Sequence, residues 1–198
     1  MSRERILAAL RSQELPEAPL PKLDERWGTG RAHRRTRFAA ALEAAGGRCV
    51  RVSNRAELAR ELKGLPEFAN ARRRASVVPH LGDPNVSLGE LDDPRRLAQV
   101  DYALLPGQFG VAENGGVWID ATDYLHRAVL FLPEHLGLVV KTADLVNHMH
   151  DAYKRIDFDG PGFGCFIAGP SKTADIEQAL VIGAHGARSL TVFLQDAD

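Results

Sequence analysis

Apolar residues recur along this chain with two different periods, and each change of period marks an element. Residues 2–11 place Ile6, Leu7 and Leu10 on one side of a helix. The stretch QELPEAPLPKLDERWG then carries three prolines and little periodicity, and reads as an extended arm. Helical spacing resumes over 29–45 and is closed by Gly46-Gly47; RCVRV after it predicts a short strand. Ser53 or Asn54 caps the next helix, which carries Leu58 and Leu62. SVVP at 76–79 predicts a strand, and residues 80–94 a loop with a short helix at 95–99.

From Val100 the spacing changes. VDYALLPGQFGVAENGGVWIDAT contains strand-like segments punctuated by Pro106-Gly107 and by Asn114-Gly115-Gly116. AVLFLP and GLVVKT predict two buried strands. Residues 143–156 space Leu145, Met149, Ala152, Tyr153 and Ile156 as in a helix. FGCFIAG predicts a strand, 174–185 a helix, and SLTVFL a closing strand. Strands alternating with helices imply an α/β fold, a mostly parallel sheet flanked by helices. The expected division is an N-terminal helix and extended arm at 1–28, then an α/β domain over 29–198.

Composition narrows the function classes. Of 198 residues, 44% are hydrophobic and 26% charged, which excludes a collagenous or disordered chain. The longest apolar runs are far short of the roughly 20 residues a membrane span needs. The first residues, MSRERILAALRS, lack the apolar core of a secretory signal, so the expected location is cytoplasmic. Cys49 and Cys165 are the only cysteines, and read as free thiols. Two cysteines cannot hold a four-cysteine iron–sulfur cluster or a four-cysteine zinc site, so any electron carrier sits elsewhere.

The net charge of −1 hides an asymmetry. Residues 1–75 hold 17 Lys/Arg against 9 Asp/Glu, whereas 76–198 hold 8 against 17. The basic runs RAHRRTR (31–37) and RRR (72–74) have no interleaved aromatics and match no nucleic-acid-binding motif. A solvated helix face or contact with an acidic partner accounts for them better than nucleic acid.

Two turns carry candidate chemistry. At Glu113-Asn114-Gly115-Gly116 an Asn-Gly turn between apolar strands predicts a hairpin, because both residues tolerate positive φ. The same turn projects the Glu113 carboxylate from a rigid strand end as a base or nucleophile, with the glycines leaving room for a ligand. The second turn follows a strand ending at Gly169. The run resembles a phosphate-binding loop in outline, but Cys165, Phe166, Ile167 and Ala168 belong in a strand, so nucleotide hydrolysis by that route is not expected. With a helix starting after Gly169, its free N–H groups, the Ser171 and Thr173 hydroxyls and the Lys172 ammonium would hold an anion. The bland reading is that Ser171 or Thr173 only caps that helix. If the turns converge on the ligand-binding edge of the sheet, a hydroxy acid would place its carboxylate at Ser171, Lys172 and Thr173 and its hydroxyl near Glu113.

DYALLPGQFGVAENGGVW and GFGCFIAGPSKTADIEQALVIGAHGARSLTVFL, in that order, resemble the LUD-domain family of lactate utilisation proteins over roughly residues 30–196. That resemblance implies a fold related to CoA transferases and ribose-5-phosphate isomerase. It also implies a part in oxidising L-lactate to pyruvate alongside iron–sulfur partner proteins, with no cofactor bound by this chain. Glu113-Asn114-Gly115 further resembles the motif in which family I CoA transferases carry a nucleophilic glutamate. The alternatives are therefore a free-standing transferase or isomerase using Glu113, or a non-catalytic assembly subunit.

His148 and His150 would lie about 200° apart on a helix and cannot share one ion, so no metal is expected. His185 falls near the end of the 174–185 helix, and Arg188 is a further candidate for an anion site.

Overall fold

The computed structural model describes residues 3–12, 33–158, 162–176 and 179–196. Helix α1 (Arg3–Arg11) opens the chain, with Ile6 and Leu10 of its apolar stripe exposed. Most of the expected arm, and residues 29–32 at the start of the second predicted helix, lie outside the described residues. Helix α2 (Arg34–Ala44) ends at Gly46, whose φ of +86° suits glycine. Strand β1 (Arg48–Val52) and helix α3 (Arg55–Gly64) follow. Asn54 caps α3 by accepting the Glu57 N–H at 2.9 Å, while the Glu57 carboxylate takes the Ser53 N–H at 2.8 Å. This reciprocal arrangement satisfies two donors that the first turn of a helix leaves open.

A short α4 (Pro66–Ala69) leads to β2 (Arg74–Ser76), which starts two residues before the expected SVVP strand. A loop with 3₁₀ turns at Leu88–Glu90 and Pro94–Gln99 reaches β3 (Tyr102–Pro106), β4 (Phe109–Val111) and β5 (Val117–Asp120). Strand β6 (His135–Lys141), a two-residue β7 (Leu145–Val146) and helix α5 (Met149–Tyr153) come next. The chain continues through β8 (Gly164–Ile167), β9 (Lys172–Ile176), β10 (Ala179–Ile182) and β11 (Ser189–Gln195).

Five strands form a wholly parallel sheet in the order β1-β11-β6-β3-β2. Its Tyr102, Leu104 and Phe193 face α3 and α4, where Leu58, Leu62 and Phe68 are buried. The opposite face, with Ala103, Leu105, Leu138, Val140 and Val192, packs on α2 and on a second sheet ordered β7-β4-β5-β8. Along β5, Val117 and Ile119 turn into that core, while Trp118 is half-buried and Asp120 exposed on the other side. There Trp118, Phe109, Phe166 and Ile156 pack with α5. The expected mostly parallel α/β sheet is therefore present, joined by a mixed sheet that single-strand reading did not resolve.

Three elements differ from expectation. AVLFLP is a 3₁₀ turn over Arg127–Leu130, because a short apolar run fits a buried turn as well as a strand. Here Val129 and Leu130 are buried and Phe131 and Leu132 exposed, with the Leu132 N–H returning to Ala128 O at 2.9 Å. The helix expected over 143–156 contracts to α5, and Leu145 joins β4 as part of β7. The third matters most for function. The helix expected over 174–185 is a hairpin in which β9 and β10 pair antiparallel, Val181 with Thr173 and Ile182 with Lys172. Gly183, at φ +77°, closes its base by donating to Ser171 O at 3.0 Å. The β-branched Thr173, Val181 and Ile182 suit a pleated pairing, and the ladder overrides the strong helical preference of the Ala, Glu, Gln and Leu residues between them. His185 accordingly lies in the bend after β10, not at a helix end.

Candidate functional site

The ENGG turn joins β4 to β5. Gly115 has a φ of +71°, and Asn114 Oδ1 accepts the Gly116 N–H at 2.9 Å, a local bond that shapes the turn. The carboxylate of Glu113, exposed at the surface, accepts the N–H of Met149 at 3.0 Å. This N–H opens α5, where the His148 ring also caps by accepting the Asp151 N–H at 3.2 Å. Glu113 thus ties the hairpin to the helix over the second sheet, a partnership between residues 36 apart that no local spacing announces.

The second turn lies close to the first. Val117 of β5 pairs with Ile167 of β8, and the glycines of both turns follow at that end of the ladder. Both turns also touch α2. A methyl group on Gly115 would stand 2.4 Å from Leu42 N, and one on Gly169, at φ +75°, 2.3 Å from Ala45 O. Leu42 and Ala45 are three residues apart, about 4.5 Å along a helix axis. Both glycines thus rest against the carboxyl-terminal half of α2. The room left by Gly115 and Gly169, however, is filled by the backbone of α2 and not by space for a ligand.

The expected anion cradle is not formed as predicted. With β9 a strand, no helix start supplies free N–H groups, and the Ser171 N–H is taken by Ala187 O at 2.9 Å. The side chains also diverge, as successive strand residues must. Ser171 packs toward Gly186, where an added methyl would approach its Cβ to 2.9 Å. Lys172 extends the other way, its ammonium 3.3 Å from where a methyl on Gly46 would sit. That position is the carboxyl end of α2, whose carbonyls attract a cation. Thr173 is half-buried in β9 opposite Val181. Arg188 is engaged elsewhere, 2.6 Å from Glu134 Oε1.

The location of this turn differs from expectation as well. Gly46 and Ala187 precede β1 and β11, so the GPSK turn sits at the amino edge of the parallel sheet. Ligands of open parallel sheets gather at the carboxyl edge.

Among the described residues no group of three or more His, Cys, Asp or Glu is arranged to hold a metal ion. His148 and His150 stand with ring centroids 5.6 Å apart, edge to face. Cys49 and Cys165 are both free and half-buried, and burial pushes the Cys49 thiol up to about 11 and raises that of Cys165. No helix among the described residues is long and apolar enough to cross a membrane. A cleft of about 490 Å³ on the outer face of the second sheet is lined by Phe109, Trp118, Phe158 and Phe163 with Arg155 and Asp120. Only the β4–β5–β8 register makes it visible, since its aromatics are spread over 55 positions of sequence.

A parallel five-stranded sheet with helices on one face, and a mixed sheet plus one helix on the other, defines the class of α/β protein. A crystal structure of a DUF162 family protein from Deinococcus radiodurans shares this fold, with a TM-score of 0.56 at 20% identity. That likeness covers 85% of this chain and 99% of the other. The chain belongs to the LUD domain family, whose model matches residues 90–194, both turns included. It is 33% identical to a protein named lactate utilization protein C from Shouchella clausii, over 52% of this chain and 49% of that one. A protein of the same name from Geobacillus kaustophilus is 32% identical over 54% and 44%. The chain thus spans about half the length of these curated relatives.

Proposed function

We propose that this chain serves in lactate utilisation, as a component of a system that oxidises L-lactate to pyruvate with iron–sulfur partner proteins. The observation that carries this reading is the LUD match over residues 90–194, together with relatives named lactate utilization protein C. Oxidising lactate to pyruvate removes two electrons and two protons. The electrons need an acceptor, and two free thiols, being already reduced, cannot serve as one. Iron–sulfur clusters on partners fill that role in this reading. Glu113 is the group proposed to take part in the chemistry, as acceptor of the hydroxyl proton. Its support is an exposed carboxylate on a hairpin held by α2 and α5. The neighbouring Asn114, Gly115 and Gly116 shape that hairpin, and Gly169 packs on the same helix α2; Ser171, Lys172 and Thr173, which diverge beyond it, have no part in this reading.

The test is growth of the source organism on L-lactate as sole carbon source after deletion of this gene. Loss of growth, restored by the wild-type chain, supports the assignment; undiminished growth overturns it. Complementation with Glu113→Gln then separates chemistry from folding, since full rescue would leave Glu113 a turn residue. Purification of the tagged chain from lactate-grown cells, followed by iron and sulfide analysis of what accompanies it, tests the partners.

A further inference from the structure

At the carboxyl edge of the parallel sheet, α2 begins beside the ends of β1 and β6. A cavity of about 380 Å³ opens there, lined by His33, Arg34, Arg35, Thr36, Arg51 and Thr142. The volume lies within the roughly 300–1,000 Å³ typical of small-molecule sites. Arg51 comes from β1, Thr142 follows β6 directly, and the other four residues form the start of α2. The start of α2 and the end of β1 thus bring three guanidinium-bearing residues to one opening, with Thr142 closing it from the end of β6.

Two features of this opening call for negative charge. The first turn of α2 has no acidic residue and no side-chain cap, although its leading N–H groups have no partner within the helix. Arginines at the positive end of a helix dipole repel it, which an anion would reverse. Thr142 contributes only to the wall of the cavity, its Oγ1 being wholly out of solvent and turned away from the opening. Arg34 is positioned by donating to Leu145 O, which anchors it in the wall. Asp196 lies 3.5 Å from Arg35 in an exposed pair that contributes little and can be displaced.

We propose that this cavity is a binding site for a small oxyanion, a carboxylate or phosphate group, held by Arg35, Arg51 and the first N–H groups of α2. The site lies at the sheet edge opposite the GPSK turn, and the proposal does not depend on the lactate reading. Planar guanidinium groups pair with either oxyanion through two parallel hydrogen bonds.

The test is thermal unfolding of the whole chain with sodium phosphate, and separately with sodium L-lactate, against sodium chloride at matched ionic strength. A binding anion stabilises the folded state by RT ln(1 + [L]/Kd), so Tm climbs with its concentration. Phosphate alone would assign a phosphorylated ligand, L-lactate alone a carboxylate; no rise above chloride with either overturns the site. Arg51→Ala and Arg35→Ala should each weaken the effective anion about tenfold or more. Arg60→Ala, on the outer face of α3, should leave its affinity unchanged. Unchanged affinity in Arg51→Ala would count against the proposal.

Discussion

Gly115→Ala distinguishes a glycine that makes room for a ligand from one that makes room for a helix. Gly115 has φ +71°, a conformation that costs an alanine roughly 1–2 kcal/mol. The added methyl would stand 2.4 Å from Leu42 N, 2.6 Å from Leu42 Cα and 2.9 Å from Ala41 C. All three are backbone atoms of α2, so relief requires the helix to shift, not a side chain to turn. Overpacking of this kind costs roughly 1–3 kcal/mol, which brings the sum to about 2–5 kcal/mol. Domains of this kind are stable by only about 5–15 kcal/mol. With an m value of about 2–3 kcal/mol per molar in urea, the midpoint should fall by about 0.7–2.5 M. Equilibrium urea unfolding followed by far-UV circular dichroism measures this. Gly116→Ala is the internal control: its methyl would meet only Asn114 Oδ1 at 3.0 Å and Phe166 Cδ1 at 3.7 Å, and its cost should stay below about 1.5 kcal/mol. Gly64→Ala, with nothing within 4 Å, should be neutral or stabilising. If Gly115→Ala unfolds within about 1 kcal/mol of wild type, the packing account of this turn is wrong.

Three further outcomes follow from specific contacts. Glu113→Gln keeps an oxygen for the Met149 N–H and should cost a few tenths of a kcal/mol, whereas Glu113→Ala opens the start of α5 and should cost about 1 kcal/mol by urea unfolding. Asn54→Ala removes the acceptor of the Glu57 N–H and should cost about 1 kcal/mol in the same assay. Burial raises the Cys49 thiol from 9.0 to about 11, so the folded state holds this proton more tightly than the unfolded chain. Its contribution to stability is complete below pH 9 and is lost as pH rises toward 11; the Cys49→Ala variant should show a shallower stability loss over that window.

Local sequence determined the elements whose signals are local. The Asn54 cap, the Gly46 helix stop, the Asn-Gly turn and strands β1, β3, β6, β8 and β11 all stand where periodicity and turn chemistry place them. Their side chains meet neighbours a few positions away, so the pattern carries the information. The class of fold follows from these elements, and so does the position of Glu113 at the end of a rigid strand. The stretch after Gly169 was decided otherwise. Residues 172–182 hold both helix-compatible and β-branched positions, and the ladder between β9 and β10, closed by Ser171 and Gly183, selects the hairpin. That choice sends Ser171 and Lys172 in opposite directions and removes the anion cradle a helix start would have made. The partners of Glu113 and Gly115, at Met149 and Leu42, are equally a product of tertiary packing. So is the meeting of Arg35, Arg51 and Thr142, which comes from far-apart segments at one edge of a parallel sheet. Contacts between residues tens of positions apart leave no period in the chain, because which strands become neighbours is settled only when the sheet assembles.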